Sequence, residues 1–383
     1  MIKKIIFSII INYIICLSSY AEHVLHTVWG DSVVNDPIIE ELIQSKAMQR
    51  IKEIDQSGPP PYLELMPFFS LYDHSIGVFV LLQKVGVSKI EQIAGLLHDV
   101  SHTVFSHLGD NLFYQPNSRR SYQDTIHLWF LKKMDIEKII SKYNISISEL
   151  DPDNPKYVAL ESPLPSLCAD RIQYNIHTGV ILEKISKIEA KEIVENLQFK
   201  HNKWFFTEPV LAKKFAMLSL DFTWEFWGSE WNAVIYDCFV KILKRAVDIN
   251  LITKDELHFG VDKQVLTKLQ KSKDVKLQKL FKEYSHKIKT FSIVEFGKGQ
   301  INIKPKFRGI DPMVYYNGKY QLLSKIDKNF SHNFNLVKEW CQKGYGISYS
   351  NNVPNKIVLP YTRIGLDYQY PTNHIFPRET KGN

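Results

Sequence analysis

His98-Asp99-Val100-Ser101-His102-Thr103-Val104-Phe105-Ser106-His107-Leu108-Gly109-Asp110 gathers three histidines and two aspartates into thirteen residues. An apolar run, Ile93-Ala94-Gly95-Leu96-Leu97, leads into it. That run has helical texture. Continued through the cluster, a helix would put His98 and His102 on one face, with Asp99 about a quarter turn away. Imidazole and carboxylate are the usual ligands of a catalytic metal. A merely solvated polar face would not be flanked so tightly by apolar residues.

Two distant pieces extend the pattern. Upstream lies Tyr72-Asp73-His74-Ser75-Ile76-Gly77-Val78, and downstream Leu167-Cys168-Ala169-Asp170-Arg171-Ile172-Gln173-Tyr174. The order His…His-Asp…Asp resembles the signature of the HD-domain metal-dependent phosphohydrolase superfamily. The form His-Asp-x-x-His-x-x-x-x-His is closest to the deoxynucleoside triphosphate triphosphohydrolase-like branch. Val34-Asn35-Asp36-Pro37-Ile38 resembles that branch's opening strand and turn. Met48 to Gly58 resembles its first helix and the following loop. The specific motifs span roughly residues 30 to 180.

The resemblance implies one divalent metal ion (Mn, Fe, Zn, Ni or Mg) held by His74, His98, Asp99 and Asp170. Two imidazoles and two carboxylates leave coordination positions open for water and a phosphate oxygen. It also implies that His102, His107 and Asp110 handle phosphate and proton transfer. His107 is the better candidate for general acid or in-line chemistry, with Asp110 fixing its tautomer, and His102 for a phosphate or metal-water contact. Gln56, Arg171 and Tyr174 match positions that contact the sugar and phosphate. Tyr174, four residues after Asp170, shares its helical face.

Departures are equally specific. The triphosphohydrolases carry an arginine three residues before the first ligand histidine, and this chain has Leu71. Arginine is the preferred bidentate partner of phosphate. A His-Glu pair on the next helix is replaced by Tyr122-Gln123-Asp124, with His127 one and a half turns on. Thr178 stands where a further aspartate is common. Cyclic di-guanylate phosphodiesterases and alarmone hydrolases fit less well. The former need a lysine after His-Asp-x-Gly and the latter Glu-Asp after His-Asp, whereas this chain has Val100-Ser101-His102.

The bulk properties agree with an enzyme-sized fold. With 383 residues and 44% hydrophobic content, the chain can bury one sizeable core and an appended subdomain. Residues 1–21 read as a signal peptide. Lys3 and Lys4 precede the apolar Ile5 to Leu17, and Ser19-Tyr20-Ala21 offers a small-residue cleavage site before Glu22. The expected location is exported, either periplasmic or secreted. No later segment is apolar enough to span a membrane. Cleavage removes two lysines and no acids, so the net charge falls from +7 to +5. That suits a phosphate-bearing substrate without a strong nucleic-acid signature. The lysines look scattered. The remaining Cys168, Cys238 and Cys341 make no disulfide framework.

The predicted fold class is mostly α: an HD-domain helical core with its helical extension at 22–287, and a small C-terminal α+β subdomain at 288–383. Helices are expected over Glu40 to Asp55, His74 to Val85 with Asp73 as cap, and Ser121 to about Tyr143. Further helices are expected from Pro165 through Asp170, from Pro209 to Trp227, from Ser229 to Asn250 and from Phe334 to Lys343. Ser88 and Glu91 read as a capping box for the helix that delivers His98. Leu197 to Thr207 reads as a hairpin, as does the stretch around Asn317-Gly318. The functional expectation is a metal-dependent phosphohydrolase of a nucleotide-like phosphate ester, such as a deoxynucleoside triphosphate. The alternative is a catalytically weak HD scaffold that binds a nucleotide or protein partner. The sequence is compatible with a homo-oligomer.

Overall fold

The computed structural model describes residues 23–113, 120–287 and 290–349, without the side chains of 284–287. The signal-peptide stretch 1–21, most of the loop expected at Tyr114 to Arg120, and the end of the C-terminal subdomain lie outside the described residues. Among the described residues, no helix is long and apolar enough to cross a membrane.

The chain starts with an antiparallel hairpin, β1 (His23–Thr27) and β2 (Gly30–Val34). Asp36 then caps α1 (Pro37–Ile43). The single helix expected over Glu40 to Asp55 is broken in two. Ser45 adopts an extended conformation and its side chain accepts the Met48 N–H, starting α2 (Lys46–Arg50) anew. The three prolines at 59–61 end in a single 3-10 turn, Pro60–Leu63.

α3 (Leu71–Lys84) is the partition of the molecule. Its cap is Ser70, not Asp73: Ser70 Oγ accepts the Asp73 N–H at 3.0 Å and donates to Asp73 Oδ2 at 2.6 Å. The helix is apolar nearly all round, the texture of a buried helix. Leu71, Ile76, Phe79 and Val80 face one core with β1, β2, α1 and α2. Val78, Leu81 and Leu82 face a second, larger core. Cutting fully buried Leu81 back to alanine would cost about 2–5 kcal/mol.

α4 (Lys89–Leu97) starts at Ser88, whose Oγ accepts the Glu91 N–H. Glu91 does not complete a capping box. Its carboxylate accepts from the Ala159 and Leu160 N–H groups and tethers that loop to the helix. α5 (Leu108–Leu112) and α6 (Tyr122–Lys133) follow. The long helix expected through Tyr143 stops at Met134, because Asp135 is left-handed (φ 60°), and α7 (Ile136–Ser141) restarts. α8 begins at Ala169 and runs to Ile181. Pro165 is outside it, held in the preceding loop where its carbonyl accepts the Asp311 N–H.

Beyond α9 (Lys187–Asn196), β3 (Gln198–Lys200) and β4 (Lys203–Phe206) form the expected hairpin. Its turn is His201-Asn202, both at positive φ (52° and 58°), as a tight two-residue turn requires. α10 (Pro209–Phe222) runs into one π turn, Thr223–Trp227, and then α11 (Glu230–Asp248). Three shorter helices follow, α12 (Lys254–Phe259), α13 (Asp262–Lys271) and α14 (Val275–Lys287). The C-terminal part contributes β5 (Phe291–Val294), β6 (Ile301–Ile303), β7 (Met313–Tyr316) and β8 (Lys319–Leu322). It ends with α15 (Leu323–Ile326), α16 (Lys328–Lys343) and β9 (Tyr345–Tyr349). α16 starts before the expected Phe334, because Asp327 accepts the Phe330 N–H. Asn317 and Gly318 (φ 51° and 74°) turn β7 into β8 as expected.

The fold is therefore mostly α with small sheets. One sheet has the order β3-β4-β7-β8, with β4 parallel to β7, and another β5-β9-β6. Core packing crosses residue 288 without interruption. Val314, Phe330 and Val337 belong to the same apolar cluster as Phe215 and Leu220. The division into 22–287 and 288–383 stays a proposal about sequence organisation.

Candidate metal centre and pocket

α4 ends at Leu97, and His98 is its C-terminal cap. His98 and His102 therefore do not share a helical face. The chain leaves the helix in tight turns, with the His102 N–H on the Asp99 carbonyl at 3.2 Å. Phe105 and Ser106 are both at positive φ (59° and 50°). Two buried side chains hold this unusual loop. Arg50 donates to the carbonyls of Val100 (3.2 Å), His102 (2.9 Å) and Gly260 (2.9 Å). Asp262 accepts from the Phe105 N–H (2.7 Å), the Asp55 N–H (3.0 Å) and Tyr62 Oη (2.8 Å). Burial lifts the Asp262 carboxyl to about 6, against these hydrogen bonds and Arg50, which pull it down. The sequence reading did not single out Asp262, which lies in a region with no motif.

α3, α4 and α8 bring four side chains to one point. His74 Nε2 lies 3.1 Å from His98 Nε2, 3.1 Å from Asp170 Oδ1 and 3.4 Å from Asp99 Oδ2. His98 Nε2 lies 3.4 Å from Asp99 Oδ2 and 3.8 Å from Asp170 Oδ1. The other ring nitrogens are already committed. His74 Nδ1 donates to Gln173 Oε1, and His98 Nδ1 donates to the Gly95 carbonyl at 2.8 Å. In those tautomers both Nε2 lone pairs face each other and two carboxylate oxygens. His74, His98 and Asp99 offer ligand atoms that all lie within 4.8 Å of one another, and Asp170, which also neighbours Glu161 and Cys168, closes on both imidazoles. Acceptors gathered in this way are the donor set of a cation and fit a divalent metal ion. The charges respond to one another as well. On its own the cluster holds a proton in the place of a cation: burial alone would lower His98, but Asp99 and Asp170 carry it up to about 10. Burial would raise Asp99 and Asp170. The facing histidines outweigh it and hold both carboxyls well below the usual range.

Gln173 was missed by sequence reasoning. The available signal was its spacing, three residues after Asp170 on α8. Gly77 makes its reach possible, since a Cβ there would meet Gln173 Cγ and Nε2 at 2.6 Å.

The centre opens into a pocket of about 870 Å³. His102 and His107 stand side by side in it, ring centroids 4.7 Å apart and planes at 88°. His102 Nε2 is 3.4 Å from Asp99 Oδ1. Burial, then His102 and Arg308, hold the His107 imidazole well below its usual range. Asp110 lines the pocket, and among the described residues its carboxylate accepts the Tyr122 N–H at 2.6 Å, at the start of α6, and not a proton of His107. Gln56 also lines the pocket, and its buried side-chain Oε1 has no hydrogen-bond partner. Arg171 and Tyr174 reach the pocket from α8. Arg171 donates to the Ser166 carbonyl (2.9 Å) and sits 3.5 Å from Glu161. The Tyr174 ring is 6.4 Å from His74 and edge-on to Trp227 at 5.0 Å.

Where the triphosphohydrolases carry His-Glu, Gln123 and Asp124 enter the pocket. Gln123 Nε2 donates to Asp99 Oδ1 at 3.1 Å. His127 is not there. It is buried behind the site against Ser101 Oγ (3.0 Å), and burial lowers it to about 4. Leu71 is 0% exposed and belongs to the apolar core, so no side chain at 71 faces the pocket. The lysines are not uniformly scattered either. Lys304, Lys306 and Arg308 come together in the lining of the pocket.

No family model matches the chain. Over 285 residues it is 31% identical to the uncharacterized protein YdhJ of Bacillus subtilis, covering 74% of this chain and 86% of that protein. Over 171 residues it is 33% identical to the metal-dependent phosphohydrolase cns2 of Cordyceps militaris. That match takes in 45% of this chain and about half (49%) of that protein. Among solved structures, a phosphohydrolase from Bacteroides thetaiotaomicron superposes with a TM-score of 0.64 at 15% identity, over 85% of this chain and 99% of that one. A hypothetical protein from Aquifex aeolicus gives a TM-score of 0.62 at 16% identity, over 87% and 98%. At those identities the likeness speaks for the fold: mostly α, HD-type, with a small α+β part.

Proposed function

We propose a metal-dependent phosphohydrolase function for this chain, which belongs to the same family as the Bacillus subtilis protein YdhJ. One observation carries the reading: His74 Nε2, His98 Nε2, Asp99 Oδ2 and Asp170 Oδ1 converge while both Nδ1 positions are tied elsewhere. The similarity to a protein named metal-dependent phosphohydrolase supports it. We assign the four residues as the ligands of one divalent ion. Such an ion supplies Lewis-acid polarisation of a phosphoryl group and activation of water.

The protein's own residues do the rest. Asp99 serves two sites, since Oδ1 faces His102 and Gln123 while Oδ2 faces the metal point. His107, kept neutral by burial, is placed to take a proton beside His102. Gln56 offers an unspent carbonyl oxygen, and Tyr174 an apolar wall, to a sugar-like group. The finer reading is a nucleotide-like phosphate ester, with deoxynucleoside triphosphates among the candidates. The second reading is a nucleotide-binding scaffold of low activity, favoured by the buried Leu71 and by His127 lying outside the pocket. We also propose export of a chain beginning at Glu22.

The test is elemental analysis of purified protein with a panel of nucleoside mono- and triphosphates under several divalent metals. Turnover that disappears together with metal in His98→Ala and Asp170→Ala supports the hydrolase. Full metal occupancy in either variant refutes the ligand set. Nucleotide binding with no turnover under any metal gives the scaffold reading.

A further inference from the structure

We propose that Arg308, with Lys306 beside it, grips a phosphate group of the substrate. The proposal rests on the phosphohydrolase reading for what the ligand is. It assigns a recognition role to residues far outside every motif of the first half.

The two residues lie on an extended run between β6 and β7, and both line the pocket that holds His98, Asp99, His107 and Asp170. The Arg308 guanidinium sits over the Trp227 ring at 5.9 Å. Trp227 meets Tyr174 edge-on at 5.0 Å, and Tyr174 stands 6.4 Å from the His74 ring. Arg308 is thus two aromatic rings from the metal point. Its charge is felt at His107, Tyr174 and Tyr236, which face the pocket from three different elements.

The backbone that carries Arg308 is anchored. Ile310 is fully buried and its N–H donates to Ser219 Oγ at 3.0 Å. The Asp311 N–H donates to the Pro165 carbonyl at 3.0 Å. A guanidinium on so fixed a base has little conformational freedom left to lose on binding.

The cations here are unbalanced. Among the described residues, neither Lys306 nor Arg308 makes an ion pair, whereas Arg171 in the same pocket is engaged with Glu161 at 3.5 Å. Arg308 first, then burial and Arg171, lower the Lys306 ammonium. Lys306 is exposed and Arg308 half-buried, and their like charges side by side repel until an anion enters. The planar fork of arginine matches phosphoryl oxygens two at a time, and a lysine beside it adds a point charge. The chemistry selected is therefore a phosphoryl group, recognised beside Trp227 in the pocket that holds His98, Asp99 and Asp170.

Binding of pyrophosphate to the full-length protein as purified, followed by calorimetry at equal metal content, tests this without needing turnover. Arg308→Gln should weaken binding by about tenfold or more, and Lys306→Gln by several-fold. Arg308→Lys, which keeps charge and stem, should fall between. Lys319→Gln, on the exposed hairpin, should bind as the parent does. The proposal fails if Arg308→Gln and Arg308→Lys both bind pyrophosphate like the parent, or if the parent binds none. It also fails if the weakening appears only with loss of metal. A protein that binds pyrophosphate through Arg308 yet hydrolyses no phosphate ester would keep this inference and overturn the hydrolase reading.

Discussion

The side-chain carbonyl of Gln173 accepts the Nδ1 proton of His74 through a gap that exists because residue 77 has no side chain. That contact fixes which nitrogen His74 offers to the metal point. It joins α3 to α8 at the one place where a ligand from each helix meets.

Gly77→Ala should therefore act on metal affinity before it acts on fold. The new methyl displaces the Gln173 amide, and His74 loses its tautomer-fixing partner. Losses of this kind run to about 10–100-fold in metal affinity. Gln173→Ala should reproduce the effect from the other side. Metal titration of both variants, with circular dichroism to show an intact fold, checks it. Unchanged affinity in both would remove Gln173 from the site.

His107→Ala should lower turnover by about a hundredfold while leaving metal content near normal, because His107 is not among the four converging ligands. Asp110→Asn should do much less. Asp110 holds the Tyr122 N–H, and an asparagine oxygen can still accept it. Steady-state kinetics with metal analysis separate the two. A larger loss in Asp110→Asn than in His107→Ala would contradict the assignment.

Asp221 predicts a pH-dependent stability. Burial, then Glu225, lift its carboxyl to about 8, with Lys184 opposing them. Its folded pKa is above its unfolded value of 3.8, so the folded state holds the proton more tightly. The stability this contributes is fully present below about pH 4 and is lost as pH rises to 8. Asp221→Asn removes that loss. Its advantage should grow from near zero at pH 4 to about 2 kcal/mol or more above pH 8. Thermal melts at pH 5 and pH 8.5 measure the difference, and an equal shift at both would refute it.

Export is tested at the N-terminus. Sequencing of the native protein should begin at Glu22. An intact Met1 in a soluble cytoplasmic fraction would end the export proposal.

The converging residues were legible because their types and order announce a donor set even with unknown geometry. His74, His98, Asp99 and Asp170 meet although they come from three helices and a turn. Their local setting was less legible. Periodicity carried α4 past Leu97, but the backbone leaves the helix at His98, and only the tertiary partners Arg50 and Asp262 stabilise the turns beyond. Asp73 was expected as the cap of α3, but the helix starts three residues earlier and Asp73 lies in its first turn, with its N–H on the Ser70 hydroxyl. Asp110 was expected as a partner of His107 because the family resemblance implied it, whereas the Tyr122 N–H at the start of α6 takes up its oxygen. Lys306 and Arg308 carry no local mark at all. Their place in the pocket depends on how β7 docks, which no short window of sequence encodes.

The parallel pairing of β4 with β7 joins Phe205 to Met313 and Phe206 to Val314, partners roughly a hundred residues apart. Closing so long a loop is entropically costly and slow compared with forming helices from neighbours. The wall that carries Lys304, Lys306 and Arg308 lies just before β7, so it cannot be in place until that strand has docked. During synthesis the residues converging on the metal point emerge early, and that wall of the pocket arrives last. A chain cut before residue 300 would lack that wall, and with it Ile310, Val314, Phe330 and Val337 of the larger core, so neither the pocket nor its packing is complete until the later strands and helix have docked.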